Sequence, residues 1–116
     1  MKPVKRNLEC WQGVTFDFPL FFADANFTPT NLNGYTARMQ VRPSISSEDV
    51  TIELTTENGR ILIDSEHGGL SLYISAEDAS SIPTGSYKYD LELVAASGRV
   101  YKPIYGSFKV KGEVTR

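Results

Sequence analysis

Apolar and polar side chains alternate with a period of two along most of this chain. In GVTFDFPLFF, Val14, Phe16, Phe18, Leu20 and Phe22 fall on one face, with Thr15, Asp17 and Pro19 on the other. That pattern predicts a strand with one buried face, and Pro19 places it at a sheet edge or a bulge, because proline donates nothing to the ladder. NLNGYTARMQVRPS repeats the pattern, with Tyr35, Ala37, Met39 and Val41 inward and Thr36, Arg38, Gln40 and Arg42 outward. Ile52 and Leu54, the turn ENGR, then Ile61 and Ile63 predict a tight hairpin, since Asn58-Gly59 enters positive φ at low cost. Leu70, Leu72 and Ile74 form a further inward set, as do Tyr87, Tyr89, Leu91 and Leu93 in YKYDLELVAA. After the Ser97-Gly98 turn, Val100, Ile104, Phe108 and Val110 are expected inward, with a bulge near Pro103 and Gly106.

The alternation breaks once, at SAEDASSIPTG. Ser75 with Asp78 three residues on reads as a helix cap with an acidic first turn, and Pro83 and Gly85 stop it. One short helical turn near residues 76–82 is expected there, carrying the chain from one strand to the next. About seven or eight strands at spacings of eight to twelve residues, with turn residues between them, predict an all-β fold. An antiparallel sandwich or small barrel in a single domain, 1–116, fits best.

Composition narrows this further. A chain of 116 residues holds one core, and 41% apolar with 22% charged residues suits a globular domain. Twelve basic against fourteen acidic residues leave a net charge of −2, without the basic excess expected of a nucleic-acid or membrane surface. The run Lys2, Lys5, Arg6 has no apolar stretch behind it, so no signal peptide is expected. PLFFA is too short to span a bilayer. Cys10 is the lone cysteine, which rules out an internal disulfide and suits a reducing compartment.

No residue set assembles a recognisable reaction centre. A Cys10 nucleophile has only His67 as a possible base. Asp64, Glu66 and His67 beside Gly68-Gly69 have metal-ligand chemistry, yet turn formers explain them as well. Glu77, Asp78, Asp90 and Glu92 supply carboxylates of the kind glycoside hydrolysis uses, but their positions read as a helix start and a solvated strand face. A non-enzymatic protein without a cofactor is expected. Trp11, Phe21, Phe27, Tyr73, Tyr101 and Tyr105 fall outside the inward set. They cap the ends of the core, anchor an interface, or form a sugar platform. Arg38 and Arg42 are either the wet face of a strand or interface anchors capable of bidentate pairing.

The succession GVTFDFPLFF, NLNGYTARMQVRPS, TIELTT, GLSLYIS, GSYKYDLEL, SGRV and GSFKVKGEVTR resembles small proteins and N-terminal modules of tailed bacteriophages and prophages, similar to the N-terminal domain of upper-baseplate proteins. The resemblance runs over nearly the whole length. It implies an immunoglobulin-like or related sandwich serving as a virion structural component, assembled in the host cytoplasm. Partners implied are other tail, baseplate, fibre or capsid proteins and further copies of the chain, without nucleic acid or membrane. Longer relatives continue past the point where this chain stops at EVTR. A tail or baseplate adaptor is therefore expected, with a capsid decoration protein or a carbohydrate-binding module as alternatives.

Overall fold

The computed structural model describes residues 2–115, and these form two β-sheets around one hydrophobic core. The larger sheet has six strands. At its centre lie β4 (Thr36–Arg42), β8 (Gly85–Val94) and β9 (Val100–Lys111), with β5 (Ile52–Thr55) on one edge. The other edge is formed by β1 (Val4–Lys5) and β2 (Leu8–Trp11), both paired with β9. The smaller sheet runs in the order β3 (Phe16–Phe21), β7 (Gly69–Ile74), β6 (Ile61–Asp64).

The inward faces close on each other. Phe16 of the small sheet meets Phe108 of the large one edge-to-face, with ring centroids 5.5 Å apart, a favoured aromatic geometry. Met39, Val41, Leu54, Leu72, Ile74, Leu91 and Leu93 are all buried in the same cluster. The alternation thus identified the core side of β4, β5, β7 and β8 correctly. The short helix α1 (Ala76–Ser80) also stands where expected, with Ser75 Oγ accepting from the Asp78 N–H at 3.1 Å. It carries the chain from the small sheet to the large one. Pro19 lies on β3, an edge strand, as its missing donor requires.

Four expectations need correction. Residues 52–63 do not form a hairpin. β5 pairs with β4 in the large sheet, while β6 pairs with β7 in the small one, so ENGR is a corner between sheets. Asn58 shapes that corner: its Oδ1 accepts from the Thr55 and Arg60 N–H groups, and its Nδ2 donates to the Glu53 carbonyl. Alternation reports which face of a strand is buried but not which strand it pairs with, and both arrangements bury Ile52, Leu54 and Ile61.

The sheets are not wholly antiparallel either, and there are nine strands among the described residues. β1 and β2 run parallel to β9 at a constant offset, Val4 opposite Ile104 through Trp11 opposite Lys111. They are one arm interrupted at Arg6–Asn7. Leu8 and Cys10 point into the core from it.

The third correction concerns β9. The expected bulge is present, but Leu91 pairs with Ile104 while Leu93 pairs with Tyr101. The extra residue reverses the alternation. Tyr101 therefore packs against the core and Val100 is exposed, the opposite of the expected assignment. Finally, Val14 is exposed because it belongs to the turn between β2 and β3, where its N–H donates to the Trp11 carbonyl at 3.1 Å.

Candidate functional site

The residues singled out from the sequence separate onto different parts of the molecule. Cys10 is buried in β2, and burial pushes its thiol pKa up, which leaves it a poor nucleophile. His67 sits exposed in the turn between β6 and β7, with Nδ1 at 2.9 Å from Asp64 Oδ2. The two belong to different sheets and do not meet. Among the described residues, no three His, Cys, Asp or Glu side chains converge as a metal set would. Of the four carboxylates, three are held by cations: Asp78 by Arg60 at 2.9 Å, Asp90 by Lys102 at 3.0 Å and Glu92 by Arg38 at 2.7 Å.

What the fold builds instead is two open faces on opposite sides of the molecule. On the small sheet, the outward positions are Asp17, Pro19 and Phe21 of β3, Ser71 and Tyr73 of β7, and Leu62 and Asp64 of β6. Register brings Phe21 opposite Gly69 and Leu62 opposite Ser71, so only small residues lie between the two apolar side chains. The Phe21 ring covers the space where Gly69 has no side chain: a Cβ there would meet the ring at 3.5 Å. A groove of about 290 Å³ lies between Phe21 and Leu62, which are 77% and 63% exposed. Among the described residues, no further strand pairs with either edge of this sheet, β3 or β6. Phe27 stands in the loop after β3, with φ +62°, in a turn where Asp24 Oδ1 accepts from the Asn26 and Thr28 N–H groups.

The outer face of the large sheet is polar. Cross-strand rows set Arg38 opposite Glu92, Gln40 between Glu53 and Asp90, and Arg42 opposite Lys88. Tyr105 follows Asp90 in the middle row, and is exposed. Lys102 keeps its proton more firmly than an ordinary lysine, chiefly through its hydrogen bond to Asp90. Arg38 is thus a paired strand-face residue, whereas Arg42 has no carboxylate partner among the described residues.

Two candidates lie apart from these rows and grooves, Trp11 at the arm edge of the large sheet's outer face and Tyr101 on its inner side. Trp11 ends β2, and Lys111 Nζ stands 5.2 Å from its ring centre. Tyr101 is half-buried against the core under Arg99, so it belongs with the packing and not with the exposed aromatics. The sequence supplied Phe21, Tyr73, Arg42 and Tyr105 but missed Leu62 and Lys88. Leu62 occupies an ordinary outward position, and a Leu on the wet face of a strand was the available signal.

No protein-family model matches the chain, and no curated protein matches it.

Proposed function

We propose that this chain is a non-enzymatic structural protein of a tailed-bacteriophage particle, an adaptor of the tail or baseplate with an immunoglobulin-like sandwich fold. The observation that carries the reading is the apolar outer face of the small sheet. Phe21, Leu62 and Tyr73 stand exposed on one surface between two strand edges that are unpaired among the described residues. Large apolar side chains exposed together on one face suit an association site, and open edges admit a further strand. The strand-and-turn segments that resemble phage baseplate N-terminal domains support the particle as the setting. A docking role needs complementary surface and no reacting groups, and it fits the engagement of Asp78, Asp90 and Glu92 in ion pairs.

The test is the number of copies per purified particle, by quantitative mass spectrometry against the major capsid protein. A few to a few tens of copies supports the adaptor. Several hundred would reassign the chain to capsid decoration, and absence from the particle would end the virion reading.

A further inference from the structure

The large sheet carries fixed positive charge that its own acids leave unneutralised. Arg42 and Lys88 stand directly opposite each other on β4 and β8. Like charges in that position repel, and a sheet normally places an acid on one side. Neither residue has a carboxylate within salt-bridge distance among the described residues. Arg42 is held instead by uncharged oxygens: its guanidinium donates to the Ser47 carbonyl at 2.7 Å and to Gln40 Oε1 at 2.6 Å. Gln40 Nε2 in turn donates to Glu53 at 2.7 Å, which sets the direction of the amide. The half-buried guanidinium is thereby ordered before anything binds, so a ligand meets a reduced entropic cost.

Around this pair lies a groove of about 520 Å³ across β4, β8, β9 and β1. Four cations line it, Lys5, Arg42, Lys88 and Lys102, against the two carboxylates Asp90 and Glu92. Both carboxylates are already engaged, by Lys102 and Arg38. A local positive excess thus sits on a chain whose net charge is −2. Ile45, on the loop between β4 and β5, forms an apolar rim and is 88% exposed.

The geometry points to this groove as a docking site for an acidic peptide segment of a partner protein. Its carboxylates bind Arg42 and Lys88, and an aliphatic side chain packs on Ile45. A peptide fits better than a nucleic acid because Asp90 and Glu92 stay in the groove. A peptide spaces its charges around them, whereas a phosphate backbone brings a continuous line of charge against them. This inference stands apart from the proposed virion role, since the groove and the apolar face lie on opposite sides of the molecule.

The experiment is an amide-resonance NMR titration of the full chain at low salt. The probe is a blocked, glutamate-rich hexapeptide containing one leucine. Extended, it reaches about 20 Å, enough to cross four strands spaced about 4.8 Å apart. Saturable shifts are expected in β4 and β8 around Arg42 and Lys88. Lys88→Gln, on an exposed side chain, should weaken binding about fivefold, and Arg42→Gln at least as much, while Arg99→Gln at the tip of the last hairpin changes nothing. The same peptide with glutamine for glutamate should not bind. Equal binding by that neutral peptide, shifts confined to other strands, tighter binding of a short oligothymidylate, or no saturation at about 1 mM would each overturn the proposal.

Discussion

At Leu91 the inward reading of β8 can be tested by one substitution. The side chain is fully buried and sits between Met39 on one neighbouring strand and Ile104 on the other. Leu91→Asp strands a carboxylate in the core, and we expect it to cost more than about 4 kcal/mol, a large share of the 5–15 kcal/mol of a typical domain. Glu92→Gln, one residue on, removes only the exposed pair with Arg38 and should cost less than about 1 kcal/mol. Urea denaturation of both variants decides the matter, and equal midpoints would mean that the faces of β8 are misassigned. Asp78 gives a residue-scale dependence on pH. The hydrogen bond from Arg60 holds its carboxyl below the ordinary value of 3.8. A depressed carboxyl stabilises the fold above its unfolded-state pKa, and that stabilisation is lost as pH falls through the lower folded-state value. Thermal melts below about pH 4 should therefore fall more steeply for the wild type than for Arg60→Gln; parallel curves would show that the contact contributes nothing.

At the scale of the element, the N-terminal arm depends on one glycine. Gly106 lies where the arm breaks between β1 and β2, and a Cβ there would stand 2.6 Å from the Arg6 carbonyl oxygen and 2.9 Å from Asn7 Oδ1. Its φ of +154° also disfavours an L side chain. The close approach lets the Arg6 N–H donate to the Tyr105 carbonyl at 2.7 Å and lets Asn7 Oδ1 accept from the Ser107 N–H at 3.1 Å. Behind them the Tyr89 hydroxyl donates to the Arg6 carbonyl at 2.5 Å. Gly106→Ala should cost about 1–3 kcal/mol through strain and lost contacts. Hydrogen exchange locates the loss: protection at Arg6 and Leu8 should fall while that of β4 stays. Unchanged protection of the arm would show that it does not need this contact. The sequence marked Gly106 only as a bulge residue, because its partner on the arm is a hundred positions away.

For the whole molecule, the apolar face and the core make separable demands. Phe21 and Leu62 contribute outward surface, so the double change Phe21→Ser and Leu62→Ser should leave stability within about 1 kcal/mol of the wild type, as surface substitutions usually do. Self-association at high concentration, or binding to a tail partner, should drop at least tenfold if the face is the interface, a loss of about 1.4 kcal/mol or more. Sedimentation velocity with and without the substitutions reads the first quantity. A variant that associates as well as the wild type would move the interface elsewhere on the surface.

The sequence by itself determined where β3 to β9 lie, which side of most of them is apolar, and where the chain turns, while the strands of the N-terminal arm went unmarked. These depend on neighbours two to four residues apart: pleat alternation, Asn-Gly and Ser-Gly turns, and the Ser75 cap. It placed Arg38 and Arg42 on the polar side of β4 for the same reason. Only the tertiary structure decided which strands pair. Pairing put β5 and β6 in different sheets, laid the arm parallel to β9, and turned Tyr101 inward across the bulge. Pairing also separated the two arginines in kind, giving Arg38 a carboxylate across the sheet and Arg42 a lysine. A strand's own pattern is blind to its partner, since the free energy of a cross-strand pair belongs to residues far apart in the chain.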